Sequence, residues 1–153
     1  MIRLFPAALS ASLVLSGCQP AGQPAGPQVE VVDAWARLPA VAGRPGAAYF
    51  TVRNNGPDAL LTSVQSPRAE RIELHDSQMH DGMMHMMPLI ELPLPQKESV
   101  EFRPGGRHAM LFGLDPQLKP GGVLPLTFSM RDGRTFKAQA RLVAPSAPSP
   151  YAR

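Results

Sequence analysis

Between His75 and Met110 lie all four histidines of the chain and six of its eight methionines. That pairing of residue types points to a particular chemistry. A thioether sulfur is soft and neutral and binds without losing a proton, while imidazole suits copper and several metals of borderline hardness. Zn2+, Mg2+, Ca2+ and Mn2+ make little use of methionine, so the mixture favours Cu(I). The one cysteine, Cys18, stands far from the cluster. An exported protein has reason to hold Cu(I) without thiols, which oxidise readily to disulfides outside the cytoplasm. Within the cluster, His108-Ala109-Met110 reads as part of a strand. Residues i and i+2 of a strand share a face, so this strand offers a nitrogen and a sulfur together. His75 is expected to end another strand, Ile72-Glu73-Leu74-His75, and Met86 to emerge after an intervening loop, Asp76 to His85. Two such strands meeting at one end of a sandwich could close a set of two sulfurs with one or two nitrogens around one ion.

The elements that must position these donors are strands. Val29–Ala36, Gly46–Asn54, Ala59–Gln65 and Arg71–Leu74 carry β-branched or apolar centres. Ser99–Arg103, Arg107–Leu111, Val123–Arg131 and Thr135–Val143 continue the pattern. Asn54-Asn55-Gly56-Pro57-Asp58 is a cluster of turn formers, and Asp132-Gly133 marks a hairpin. Turns at such short intervals imply an all-β sandwich or barrel. No long stretch repeats apolar residues at helical spacing without a Pro or Gly interruption, so little or no helix is expected.

The chain has 153 residues, with 18 Pro, 13 Gly and 44% hydrophobic residues, which suits one modest domain. Its 15 Lys and Arg against 12 Asp and Glu give a formal charge of +3, and they form no basic stripe, which argues against nucleic acid as a partner. A single Cys excludes an intrachain disulfide framework, a CxxC redox site and a cysteine zinc site. Residues 1–17 read as a secretory leader, with Arg3, an apolar run and then small residues. Leu15-Ser16-Gly17-Cys18 resembles the lipobox of bacterial lipoproteins, which would make Cys18 a lipid anchor to a membrane. Residues 18–28, with QPAG twice in succession, are expected to form an extended tether. The folded domain is expected at 29–144, followed by a flexible tail at 145–153.

The four donors are spaced His75-x10-Met86-x21-His108-x-Met110. This resembles the H-x10-M-x21-H-x-M motif of the periplasmic copper chaperones called PCu(A)C. The likeness extends to Ile72-Glu73-Leu74-His75, to Arg103-Pro104-Gly105-Gly106 and to Leu111-Phe112-Gly113-Leu114. The resemblance implies a cupredoxin-like Greek-key β-sandwich that binds Cu(I) through His75, Met86, His108 and Met110. It further implies a non-enzymatic, monomeric metallochaperone on the periplasmic or cell-envelope face of a bacterial membrane. Copper would pass toward the Cu(A) centre of cytochrome c oxidase, with subunit II or a Sco-type protein as acceptor. The chain departs from some members in lacking a C-terminal His and Met extension.

Met79 is the nearest auxiliary ligand candidate, and Met130 is expected in the core. His80 and His85 read as solvated loop residues. For Met83, Met84 and Met87, core packing and an exposed copper-attracting loop stand even. Two other functions fit the same residues: a copper-sequestering tolerance protein, or an immunoglobulin-like interaction module with an incidental cluster. A blue-copper carrier needs a thiolate that the domain lacks. Ser66 and Ser77 have no nucleophile elbow, and Asp76 with Asp81 has no catalytic context, so no enzyme is expected.

Overall fold

The computed structural model describes residues 28–151, and among them are ten strands and no helix. The leader, Cys18 and the tether up to residue 27 lie outside the described residues, as do residues 152–153. The strands are β1 (Val29–Arg37), β2 (Gly46–Asn54), β3 (Ala59–Gln65), β4 (Ala69–His80) and β5 (Met83–Pro88). They continue with β6 (Leu92–Leu94), β7 (Ser99–Phe102), β8 (His108–Leu114), β9 (Val123–Met130) and β10 (Thr135–Val143). The all-β expectation holds.

Side chains alternate between two faces of a strand, and the apolar set of each strand selects the inward one. Ala48, Phe50 and Val52 of β2 and Leu124, Leu126, Phe128 and Met130 of β9 are all buried. Four phenyl rings join the two halves of the core. Phe50 stacks on Phe102 at 4.4 Å between centroids and meets Phe128 edge-on at 5.0 Å, and Phe128 stacks on Phe136 at 5.0 Å.

Hydrogen bonding runs in the order β5-β4-β8-β2-β1-β10-β9-β3-β6, with β7 also on β2. The seam is β1, antiparallel to β2 and parallel to β10. Its register shifts between Val32 and Trp35, where Asp33 takes a φ of 52°. The chain passes from β2 to β3 on the far half and back to β4, so sequence neighbours end up apart, in the Greek-key manner.

Two strands were not anticipated, β5 and β6. The segment expected as a loop, Asp76 to His85, is mostly a hairpin: β4 runs on to His80 and pairs with β5 from His75↔Pro88 to His80↔Met83. The two-residue turn Asp81-Gly82 has φ of 50° and 76°. Positive φ at both positions is the type I′ geometry whose twist matches that of the flanking strands. His75 therefore lies inside a strand, and Met86 lies inside the next one.

The stretch expected as a flexible tail is in contact with the domain as far as Tyr151. Arg37 Nε donates to the Ala147 carbonyl at 3.0 Å, and the Arg141 guanidinium stands 5.9 Å from the Tyr151 ring centroid.

Asn54, at the end of β2, is 1% exposed. Its Nδ2 donates to the carbonyls of Leu94 (2.7 Å) and Pro57 (2.8 Å), and its Oδ1 accepts from Gly56 N–H at 3.0 Å. One amide thus ties β2, β6 and the turn between β2 and β3. Each buried group left unpaired costs about 1–3 kcal/mol, so Asn54→Ala should destabilise the domain by roughly 3 kcal/mol in urea unfolding. A loss below about 1 kcal/mol would show that the turn holds without it.

Candidate metal centre

On β4, Leu74 is buried and Ile72 packs against the core, which turns Arg71, Glu73 and His75 outward. On β8, Ala109 and Leu111 are buried, which turns His108, Met110 and Phe112 outward. The register then sets three outward rungs: His75↔His108, Glu73↔Met110 and Arg71↔Phe112. The two imidazoles stand edge-on with centroids 5.8 Å apart. The Arg71 guanidinium lies 4.4 Å from the Phe112 centroid, and on the other side Met110 faces Ala47 of β2. Three of the four motif residues are therefore assembled on one outward patch by two neighbouring strands.

Hydrogen bonds assign a different free nitrogen to each histidine. His108 Nδ1 is 2.9 Å from the Gly106 carbonyl, which can only accept, so Nδ1 carries the proton and Nε2 keeps its lone pair. His75 Nε2 lies 3.3 Å from Glu73 Oε2, and Glu73 Oε1 accepts from Arg71 Nε at 2.7 Å. His75 Nε2 thus carries the proton, and Nδ1 is buried with no hydrogen-bond partner. An orphaned lone pair is costly unless something fills it. A metal ion would fill it, and the carboxylate behind the ring is the partner that fixes a ligating imidazole in place.

Met86 shares the face but not the patch. From β5 it pairs with Ser77 of β4, one strand over from His75 and on the side away from Met110. On a flat sheet, two strand spacings of about 4.8 Å and four residues of about 3.3 Å separate Met86 from Met110 by about 16 Å. Two fully extended methionine side chains and two metal–sulfur bonds of about 2.3 Å still fall short of that gap unless the hairpin curls toward β8. All six residues of β5 are exposed, so little packing resists such a movement.

The hairpin register sorts the remaining cluster. Met79 pairs with Met84, on the same face as His75 and Met86 and four residues beyond His75. His80, His85, Met83 and Met87 point to the opposite face. Met83, Met84 and Met87 are exposed, which sets aside core packing for them, and Met130 is in the core as expected. Among the described residues no group of three or more His, Cys, Asp or Glu is placed to hold a metal. The donors at hand form a mixed nitrogen and sulfur set.

Beside His108 and Met110 opens a cleft of about 350 Å³, also lined by Arg37, Pro39, Tyr49 and Pro145. The Arg37 guanidinium stands 5.1 Å from the Trp35 centroid and 5.9 Å from that of Tyr49. Burial pushes the Tyr49 phenol above its usual range, against the opposing pull of Arg37. Another cavity, of about 420 Å³ between Asp58, Leu60, Pro93 and Arg131, contains none of the donors.

Comparison with known proteins bears on the fold and on the family. The profile of the LpqE-like family, described as candidate lipoproteins, matches residues 29–142. Lxx21020 of Leifsonia xyli subsp. xyli (strain CTCB07), named as a candidate lipoprotein, is 31% identical over 109 residues, 70% of this chain. The chain spans 64% of that relative's length. The copper-bound PCuAC domain from PmoF2 superposes with a TM-score of 0.65 at 19% identity, covering 78% of this chain and 95% of that domain. Apo-DR1885 from Deinococcus radiodurans has a TM-score of 0.59 at 27% identity, covering 94% of this chain and 97% of that one. The CuI form of DR1885 has a TM-score of 0.52 at 29% identity, covering 72% and 76%. The fold is thus the cupredoxin-like sandwich of the PCuAC domains.

Removing the partner of a ligating histidine typically lowers metal affinity about 10- to 100-fold. If His75 is a metal ligand, Glu73→Ala should weaken the binding of added Cu(I) by that factor. In the metal-free variant, long-range 15N–1H spectra should show the His75 proton spreading from Nε2 to Nδ1. Unchanged affinity and an unchanged tautomer would remove Glu73 from this role.

Proposed function

The chain belongs to the LpqE-like family, and from that premise and the donor geometry we propose that it is a cell-envelope copper chaperone. It binds one Cu(I) tightly through His75, His108, Met110 and Met86. The observation that carries this reading is the buried, unpartnered Nδ1 of His75, directly opposite His108 and diagonal to Met110. The copper forms of PmoF2 and DR1885 support the choice of metal. Copper is cargo here, and no reaction is assigned.

The geometry suggests how cargo is taken up and released. His108 and Met110 lie partly exposed on the outward patch beside the covered His75 Nδ1, so an incoming ligand from an acceptor can reach the ion. Met86 arrives on an exposed arm and can leave the same way, so the ion can drop to three ligands without the core moving. Neutral thioethers lower the charge cost of exchange, because no proton has to return to the sulfur. Imidazole binds only when neutral, so acid should weaken the site through the histidines while the sulfurs are unaffected.

Lipidation at Cys18 would place the domain on a bacterial membrane, and the family and the relative's name support a lipoprotein. The acceptor in this reading is the Cu(A) centre of cytochrome c oxidase, reached through its subunit II or a Sco-type protein.

A competition titration with Cu(I) under anaerobic conditions tests the site, using the full-length chain with Cys18→Ala so that no thiol competes. The tightest equivalent should be lost in the His108→Ala, Met110→Ala double variant and kept in Met130→Ala. Equal losses in the two variants would contradict the assignment. A strain lacking the protein should lose cytochrome oxidase activity under copper limitation. Normal oxidase with raised copper sensitivity would point to sequestration instead.

A further inference from the structure

The register that puts His75 and Met86 on one face of the β4–β5 hairpin puts a second soft donor set on the other. His80 and Met83 are direct partners flanking the turn, and Gln78↔His85 is the next rung on that face. The rings of His80 and His85 are 6.1 Å apart between centroids and edge-on. Met87 follows one rung further along, opposite Asp76. Gln78 Nε2 is turned toward Asp76 Oδ2 at 3.0 Å, so its amide is engaged along the strand rather than between the two histidines. Asp81 Oδ2, 3.5 Å from His80 Nε2, adds a negative charge at the tip.

We propose that His80, Met83 and His85 form a second site for a soft monovalent cation, Cu(I) or its analogue Ag(I), with Met87 as an additional sulfur. Direct cross-strand neighbours have Cβ atoms about 4.5–5.5 Å apart and diagonal ones about 7–8 Å apart. Metal bonds of about 2.0–2.3 Å therefore let three side chains on two such rungs converge on one ion. Two imidazole nitrogens and one thioether sulfur suit a soft d10 cation. The histidines here are exposed, and the one polar contact to their rings among the described residues, Asp81 to His80 at 3.5 Å, is longer and more solvated than those Glu73 and Gly106 make in the first site. More side-chain freedom is lost on binding, so this site is the weaker of the two. It shares no ligand with the first site and does not rest on the delivery reading.

Silver is a suitable probe because it is soft and does not change oxidation state. The full-length Cys18→Ala chain, labelled at the methionine methyl groups, is titrated with Ag(I) and followed by NMR. The Met83 methyl signal should move with a second equivalent, after that of Met110. In the His80→Ala, His85→Ala double variant, the concentration needed to move Met83 should rise at least tenfold while Met110 responds as before. A Met83 signal that stays still through several equivalents, or moves equally in the double variant, would overturn the proposal. In the His108→Ala, Met110→Ala variant the Met83 response should persist even if the first site is lost. Its disappearance there would show that the two faces are one site.

Discussion

The proposed metal face depends on the burial of Leu74, Ala109 and Leu111 beneath it. Strand side chains alternate with a period of two, so fixing these residues inward fixes His75, His108 and Met110 outward. A slip of one residue in either strand would drive an imidazole into the core and expose a core residue. The apolar pattern therefore holds the donors in place, although none of the buried residues can bind a metal. The same constraint places Glu73 beside His75 and Arg71 beside Glu73, so the partner that orients the ring comes from the same strand face as the ring itself.

The hairpin beyond His75 obeys different physics. Past the last core residue of β4 no apolar side chain is buried, and β5 is exposed throughout. Cross-strand hydrogen bonds and a two-residue turn hold the hairpin, and a two-stranded ribbon of this kind is marginal by itself. Methionine is well suited to such an arm, since its unbranched side chain adapts to irregular surroundings and needs no charge to bind. Division of labour follows: a rigid pair of strands carries two imidazoles and one thioether, and a compliant arm carries the remaining sulfur. In the proposed function, tight holding and ready release would come from different parts of one sheet.

Much of this was legible in the sequence. Gly46–Asn54, Ala59–Gln65 and Thr135–Val143 were read at their observed bounds because apolar residues and turn clusters mark both ends. The motif spacing picked out His75, Met86, His108 and Met110, and the structure places all four on one face of three adjacent strands. The hairpin was missed because Met83–Pro88 has neither β-branched residues nor alternation, and its strand is set by the turn and by pairing to β4. The signal was Asp81-Gly82, the same dipeptide that marked the turn at Asp132-Gly133. Leu92–Leu94 is too short, and too interrupted by Pro93, to read as a strand. Which cluster residues share a face could not be read without that turn, because its register alone decides that Met79 goes with His75 and His80 goes with His85.

X-ray absorption at the copper edge, on protein loaded with half an equivalent of Cu(I), tests the central claim most directly. The arm and the rigid patch together predict two imidazole nitrogens and two sulfurs around the ion. Met86→Ala should reduce this to two nitrogens and one sulfur. A spectrum with no sulfur, or one unchanged by the loss of Met86, would contradict the account.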